Sequence, residues 1–255
     1  MSAISYSASD GIGQIVISRP ERRNALNHSA LDALHDAVGR AARDELRVLV
    51  LSGSDDQFCS GADLKELEDL EFTNALRRML DDLAGLTFPT IAAISGACMG
   101  LGAQLALACD LRIATGEARF AVPVAKLGLM VDHWTIQRLA MQVGHSTARW
   151  MVLTATQVDA ARAHQIGFVQ ELVADGDDAP GTRSLAAGTE LAASIARLAP
   201  LSLAGSKHGF NLLERGDADA EGTFRAAFER AWGSDDLVEG RLAFTERRAP
   251  EFRGR

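Results

Sequence analysis

The sequence predicts an α/β protein in which a body of alternating strands and helices, residues 1–184, is followed by a helical region, residues 185–255. Three observations support this class. Short apolar runs alternate with amphipathic stretches through the body. Two strand–glycine–helix turns recur about forty residues apart. After the segment ADGDDAPGTRS, the pattern becomes almost wholly helical.

The chain begins with a predicted β-hairpin. Residues 3–18 supply two strands joined at Asp10-Gly11, a dipeptide typical of tight hairpin turns. A helix is expected next, from about Ala30 to Ala42, with either Asn27 or Ser29 as its N-cap. Its apolar side chains form one stripe: Leu31, Leu34, Ala37, Val38 and Ala41.

Two strand–turn–helix units follow. In the first, the strand Val48–Leu51 leads through SDDQFCSGADLKEL to a helix at Thr73–Leu86. In the second, the strand Thr90–Ser95 leads through a turn containing Gly100 and Gly102 to a helix at Ala103–Ala108. The first amides of a helix lack intrahelical acceptors, so this second turn could bind an oxygen that becomes anionic. A turn that serves packing alone would show the same pattern.

The rest of the body continues the alternation. Strands are predicted at Leu111–Ala114, Ala118–Val122 and Gly167–Val173, and helices at Thr135–Val143, Ser146–Leu153 and Asp159–Ile166.

Residues 174–184 have the composition of a linker. Helical patterns then cover Leu185–Ala199 and Glu221–Arg248. The second carries several large apolar residues that a free helical arm would leave exposed: Phe224, Phe228, Trp232, Leu237 and Phe244. We therefore expect these helices to pack on the body or on another subunit, in a homo-oligomer.

Composition narrows the functional classes. Lys and Arg together number 26 against 34 for Asp and Glu, a formal charge of −8, which argues against a nucleic-acid surface overall. No apolar run is long enough to cross a bilayer and no secretory signal pattern opens the chain, so a cytoplasmic location is expected. Cys59, Cys98 and Cys109 lack metal-ligand spacing and are predicted to be reduced, mostly buried side chains.

Four ordered segments together resemble the crotonase superfamily, the enoyl-CoA hydratase and isomerase group: RPERRNALN, FCSGADLKEL, SGACMGLGAQLALACDLRIA, and KLGL with QRL. The resemblance runs nearly end to end. It implies a spiral of β-β-α turns followed by a C-terminal helical trimerisation region, and hence a homotrimer or a dimer of trimers. It also implies a coenzyme A thioester as ligand or substrate, with no permanently bound cofactor and no metal.

By motif position, the resemblance assigns an oxyanion hole to the backbone N–H groups of Ala62 and Leu101. The segment Arg23–Leu26 resembles a CoA-binding loop, and Phe244 and Arg247 match positions at which a neighbouring subunit reaches CoA. In another protein such arginines would most often be solvated surface charges. The implied contacts to CoA and the acyl chain are Arg23, Asn24, Ala25, Leu26, Ser60, Gly61, Ala62, Asp63, Leu64, Gly100, Leu101, His133, Trp134, Phe244 and Arg247.

The chain departs from the family pattern at both glutamates that hydratases use to add water. Alignment puts Gln104 at one position and Val124 at the other. Neither side chain can exchange a proton near neutral pH, so an ordinary syn-hydration mechanism would lack its acid and its base at these positions. The stretch KLGLMVDHWTIQRL resembles an actinobacterial hydratase-like subgroup that lacks both glutamates and is thought to carry fatty acyl-CoA for lipid synthesis.

One carboxylate remains nearby, that of Asp132, at a position that resembles the acid of dienoyl-CoA isomerases and the nucleophile of chlorobenzoyl-CoA dehalogenases. Asp132 could equally be a helix N-cap. His133 and Trp134 could contact the acyl group or simply pack.

Two hypotheses follow. The first is a protein that binds or carries fatty acyl-CoA, possessing no ordinary hydratase activity and working with lipid-synthesis enzymes. The second is an enoyl-CoA hydratase, isomerase or hydrolase in which Asp132 moves a proton.

Overall fold

The computed structural model describes residues 2–64 and 70–255, and within them six strands form the central sheet, in the order β1-β2-β3-β4-β6-β9. The strands β1 and β2 pair antiparallel, and every later neighbour in this sheet pairs parallel. A smaller sheet has the order β5-β7-β8. The strands are β1 Ile4–Ser9, β2 Ile12–Ile17, β3 Val48–Gly53, β4 Thr90–Ile94, β5 Ala97–Met99, β6 Leu111–Thr115, β7 Arg119–Ala121, β8 Val158–Asp159 and β9 Glu171–Val173.

Helices cover both faces of the central sheet. They are α1 His28–Arg43, α2 Leu70–Gly85, α3 Leu101–Ala108, α4 His133–Val143, α5 His145–Thr154, α6 Ala160–Gln165, α7 Pro180–Ile195, α8 Pro200–Arg215, α9 Ala220–Trp232 and α10 Asp235–Glu246. Short 3-10 helices occur at Pro20–Arg22 and Val124–Leu127. The predicted α/β class and spiral fold are confirmed. None of these helices, across the described ranges, is long and apolar enough to span a bilayer.

The apolar run of β3 is continuous because both of its faces are buried. Leu49 and Leu51 face the larger core, which includes the buried stripe of α1, while Val48 and Val50 face a smaller core that includes Ala192 of α7. Alternate residues of a strand point to opposite faces, so one strand serves both layers.

The N-terminal predictions are confirmed in detail. Ser9 pairs with Ile12 across the hairpin, and both Asp10 and Gly11 have positive φ, the backbone geometry of the expected tight turn. Asn27 is the N-cap of α1: its side-chain oxygen accepts the Ala30 N–H at 3.0 Å.

The predicted linker was wrong in part, since α7 begins at Pro180, inside residues 174–184. A residue distant in sequence stabilises the first turn of α7: the Gly181 N–H donates to Asp56 Oδ1 at 2.7 Å. Gly188 then permits close packing on the sheet: an added Cβ would lie 3.1 Å from Ala93 Cβ and 3.2 Å from Val50 Cγ1. The division of the chain at residues 184 and 185 stays a prediction.

Other boundaries also differ from the prediction. The helix α8 follows α7 at a segment to which no helix was assigned. The predicted helix Glu221–Arg248 is interrupted, because Ser234 caps a new helix, α10, through the Leu237 N–H. The strand expected at Gly167–Val173 is confined to its last three residues, those of β9. An additional strand, β5, lies inside the glycine-rich turn.

Candidate functional site

A parallel bridge between Cys59 and Cys98 holds the two glycine-rich turns side by side. The Cys59 N–H donates to Ala97 O at 2.8 Å, and the Met99 N–H donates to Cys59 O at 3.0 Å. Because the two segments run in the same direction, positions at equal distance beyond the bridge remain neighbours. Ala62 and Leu101 are such positions: Ala62 is three residues after Cys59, and Leu101 is three residues after Cys98.

The backbone at these two positions leaves N–H groups available. Gly100, with φ 53° and ψ −111°, precedes α3, so the Leu101 N–H is the first of the helix and has no intrahelical acceptor. Gly61, with φ +119°, precedes Ala62. Within the described part of the chain, neither the Ala62 N–H nor the Leu101 N–H donates to a backbone oxygen. The pair can therefore serve an oxygen of a ligand.

Close approach of the two turns requires glycine at position 102. A Cβ added to Gly102 would lie 2.2 Å from Cys59 O, nearer than real Cβ atoms come to any oxygen. The glycine is thus needed for the distance between α3 and the neighbouring turn, in addition to the bend at Gly100.

The cysteines have the predicted structural character. Cys59, Cys98 and Cys109 are free and buried. Burial raises the pKa of the Cys59 and Cys109 thiols to about 12 and raises that of Cys98 well above its ordinary value. At neutral pH these side chains are uncharged thiols that pack beside the site.

A cavity of about 640 Å³ lies against the two turns. It brings together five of the residues predicted from the sequence as the reaction centre: Ala62, Leu101, Gln104, Val124 and Asp132. Its remaining wall is mainly apolar and includes Phe72, Leu76 and Leu80 of α2, together with Leu127, Leu129, Met130 and Val131. The predicted contacts Ser60, Gly61, Leu64 and Gly100 also line it. Such a wall suits an alkyl chain.

Asp132 is the N-cap of α4. Its Oδ1 accepts the Thr135 N–H at 3.0 Å and the Thr135 hydroxyl at 2.5 Å. The same hydroxyl accepts a hydrogen bond from Gln104 Nε2 at 2.8 Å. Asp132 therefore holds both the start of α4 and, through Thr135, the Gln104 side chain.

Arg77, on α2, is a cavity residue that the sequence reasoning missed. Its guanidinium forms a two-bond ion pair with Asp81, at 2.9 and 3.0 Å, and lies 3.4 Å from Asp132 Oδ2. It also stacks on the Trp134 ring, 3.8 Å from its centroid. The one sequence signal was the Arg77–Asp81 spacing, which is common on solvent-exposed helix faces.

The Arg23–Leu26 loop is tied to the first glycine turn by backbone hydrogen bonds. The Leu26 N–H donates to Gly61 O at 2.9 Å, the Asp63 N–H to Leu26 O at 2.8 Å, and the Ser60 N–H to Arg23 O at 3.1 Å. This loop therefore lies directly beside Ala62, as its predicted role requires.

Within that loop, the side chains of Asn24 and Leu26 are fully buried. Asn24 accepts the Arg19 N–H at 2.8 Å and donates to Ser54 O and Gln57 O at 2.9 and 2.6 Å. It therefore shapes the loop. Arg19, also missed from the sequence, supports it by reaching Asp63 at 3.5 Å and by donating to Ala25 O at 2.5 Å.

Nine of the predicted contact residues are not part of the cavity wall formed by the described residues. Five of them, Arg23–Leu26 and Asp63, belong to the loop and turn beside Ala62, and the other four lie elsewhere. His133 is exposed at the start of α4. Trp134 is half-buried against the core, and Arg77 and Arg138 both stack on its ring. Phe244, 88% exposed, and Arg247 belong to the end of α10.

Comparison with known proteins gives consistent matches. The family model described as Enoyl-CoA hydratase/isomerase matches residues 7–255. The chain is 35% identical over 254 residues to the probable enoyl-CoA hydratase echA6 of Mycobacterium tuberculosis, covering 98% of this chain and 99% of that protein. It is 32% identical to the 2,3-dehydroadipyl-CoA hydratase of Escherichia coli, covering 100% of both chains. A crystal structure of a putative enoyl-CoA hydratase from Streptomyces coelicolor superposes with a TM-score of 0.91 at 30% identity, covering 100% of this chain and 95% of that one.

Proposed function

Because the chain belongs to the enoyl-CoA hydratase/isomerase family, we propose that it binds fatty acyl-CoA thioesters for lipid metabolism and lacks ordinary hydratase activity. The observation that carries the proposal is the pair Gln104 and Val124 on the cavity wall, at the two positions where the family resemblance puts glutamates. The names of the relatives, which refer to enoyl-CoA and dehydroadipyl-CoA, support a CoA thioester as the ligand.

Hydration needs a base that takes a proton from water and an acid that returns one to the substrate. A glutamine amide and an isopropyl group do neither. Among the described residues that line the cavity, Asp132 is the one carboxylate, and its Oδ1 is occupied by the Thr135 N–H and hydroxyl. The side chains that line the cavity are therefore better suited to binding a thioester than to catalysing the addition of water to it.

The thioester carbonyl oxygen is proposed to lie at the N–H groups of Ala62 and Leu101. Backbone donors of a rigid turn need no reorganisation to bind an oxygen. With no proton to move, this pair serves to position the carbonyl. The acyl chain then extends along the apolar wall, past Leu76 and Leu80.

The CoA moiety is proposed to lie along Arg23–Leu26 and Ser60–Leu64. The positively charged side chains of Arg23 and of the neighbouring Arg22 are proposed to bind its phosphate groups. Phe244 and Arg247 are proposed to contact CoA bound to a neighbouring copy in a homotrimer or dimer of trimers. The exposed apolar groups of the C-terminal helices support such an assembly: Phe210, Phe228, Trp232 and Phe244. We further propose a cytoplasmic location and lipid-synthesis enzymes as partners.

Purified protein mixed with crotonyl-CoA should leave the conjugated enone absorbance unchanged at enzyme concentrations that suffice for an ordinary hydratase. The reason is the missing acid–base pair. A parallel reaction with an active hydratase shows that the substrate is competent. Turnover at ordinary hydratase rates would refute the carrier proposal.

If slow turnover does occur, Asp132→Asn identifies its source. Asparagine is as good an N-cap as aspartate, so α4 keeps its start while the carboxylate is lost. Loss of the slow activity in this variant would assign it to Asp132; unchanged activity would exclude that residue as the catalyst.

Saturated acyl-CoA of increasing length should bind with steadily rising affinity in calorimetric titrations. Each CH₂ buried against the apolar wall contributes up to about 0.8 kcal/mol, or about fourfold in Kd. Free CoA is the control for the part of the affinity that does not depend on the chain. Equal affinity for acetyl-CoA and decanoyl-CoA would contradict an acyl-chain carrier.

A further inference from the structure

Residues 249–255, which we call the strap, fold back along α10 without forming a helix or a strand. Both carboxylate oxygens of Asp236 accept backbone N–H groups of the strap: Oδ1 accepts that of Arg253 at 2.6 Å, and Oδ2 accepts that of Gly254 at 2.8 Å. Asp236 is 4% exposed, so these two bonds compensate a carboxylate that is almost fully buried. The strap is therefore bound through its backbone, in the way that a protein binds an extended peptide.

A second carboxylate of α10 extends this pattern by one helical turn. Glu239 Oε1 accepts the Glu251 N–H at 2.8 Å, and the same carboxylate forms a two-bond ion pair with Arg248 at 2.5 and 2.8 Å. Hydrogen bonds from Arg248 lower the pKa of the Glu239 carboxyl to about 2, so it is ionised at neutral pH. At the other end of the strap, the Asp235 N–H donates to Arg255 O at 2.7 Å. The strap thus runs antiparallel to α10 and is bonded to it along its length.

The strap also contacts elements outside α10. Arg47, the residue before β3, donates from Nη2 to Phe252 O at 2.8 Å. Gly254 has φ +77° and lies against the first residue of α8, since an added Cβ would be 3.0 Å from Pro200 Cγ. The Phe252 ring covers Gly240 of α10, where an added Cβ would be 3.4 Å from Phe252 Cε1. The strap therefore connects α10 both to the edge of the central sheet and to α8.

The helix α10 has few other buried contacts. Its buried residues are Asp236, which binds the strap, and Ala243, whose side chain is a single methyl group. Val238, Leu242 and Phe244 are exposed. Helices in proteins owe most of their stability to tertiary packing, so the strap supplies a large part of what holds α10 in place.

We propose that the strap is a conformational latch that fixes the orientation of α10 and can detach, together with α10, while the body stays folded. Among the described residues, those that form the two hydrophobic cores include none from α10 or the strap. Local opening of this segment therefore leaves both cores packed. The inference goes beyond the proposed function and needs no ligand. Its consequence for binding is that the latch would set where Phe244 and Arg247 are presented.

Asp236→Asn tests the latch in the full-length protein without ligand, by hydrogen exchange with mass spectrometry. The variant keeps the side-chain shape but replaces one acceptor oxygen by an NH₂ group, which faces a backbone N–H of the strap. Loss of a hydrogen bond to a charged group should raise the exchange rates of the strap and α10 about tenfold or more. Exchange in β3 and β4 should stay unchanged.

Asp235→Asn is the matched control. It removes the same charge from the first turn of α10, so the effect on the helix dipole is similar. The Asp235 side chain is exposed, and its ion pair with Arg255, at 3.8 Å, is also exposed. Exchange in the strap and α10 should change by no more than about twofold.

Arg47→Met attacks the latch from the body and leaves every residue of α10 intact. It removes the donor to Phe252 O and retains an unbranched apolar side chain, so the exchange rates of the strap should rise as in Asp236→Asn. This variant keeps the test decisive if Asp236→Asn does not fold.

Equal exchange rates in Asp236→Asn and Asp235→Asn would overturn the proposal, because the buried carboxylate would then not hold the strap. Faster exchange that extends equally to β3 and β4 would also overturn it, since the strap would then open only with the whole fold. Acyl-CoA titrations are read separately, so a failure of the proposed function leaves the result of this experiment unaffected.

Discussion

Gly102→Ala should lower the free energy of unfolding by about 3 kcal/mol and abolish detectable binding of decanoyl-CoA. The added Cβ would lie 2.2 Å from Cys59 O and 3.0 Å from Cys59 Cβ, and the nearest of these contacts is with rigid backbone. Relief requires α3 to move away from the neighbouring turn, which separates the Leu101 N–H from the Ala62 N–H. Urea unfolding measures the first effect and calorimetry the second.

Gly85→Ala is the matched control. A Cβ at Gly85, the last residue of α2, meets no heavy atom within 4 Å. Because alanine is the better helix former, this variant should keep or gain stability, by at most about 1 kcal/mol, and should bind normally. Unchanged stability and binding in Gly102→Ala would show that the two turns are not held together as described.

Asn24→Asp should destabilise the protein by about 4 kcal/mol although the side chain keeps its shape. Asn24 is 0% exposed, and its amide nitrogen donates to Ser54 O at 2.9 Å and Gln57 O at 2.6 Å. A carboxylate cannot donate, so two carbonyl groups lose their donor and a charge is buried beside them. Urea unfolding at neutral pH measures the loss, and acyl-CoA affinity should fall because the Arg23–Leu26 loop loses its internal support.

Asn74→Asp makes the same chemical change at an exposed position of α2. It should alter stability by no more than about 0.5 kcal/mol. If the two variants were equally stable, the Asn24 hydrogen bonds would not be what holds the loop.

Local patterns determined much of this protein. The hairpin at Asp10-Gly11, the N-cap at Asn27 and the buried β3 all depend on residues close in sequence, whose turn chemistry or periodicity is sufficient to define them. The motif resemblance also indicated five residues that meet at one cavity, among them Gln104 and Val124, which it assigns to the positions of the hydratase glutamates.

The incorrect boundaries arose where distant residues decide the local structure. Residues 174–184 contain glycine, proline and aspartate, typical of a loop, yet α7 starts at Pro180 because Asp56 caps Gly181 and Gly188 fits against the sheet. The strand β5 is only three residues long and forms because β7 pairs with it and Cys59 bridges it. A pattern of residues that are neighbours in sequence cannot predict such distant partners.

The same distinction applies to the site. The family resemblance placed Gln104 and Val124 at the positions of the two hydratase glutamates, and the sequence left Asp132 as either a cap or an acid. The tertiary structure decided that Asp132 caps α4, that Thr135 turns the Gln104 amide, and that Arg77 lies over Trp134 at the cavity. Residue identity limits which protons a side chain can exchange, but only the packing of α2, α3 and α4 determines which atoms that side chain meets.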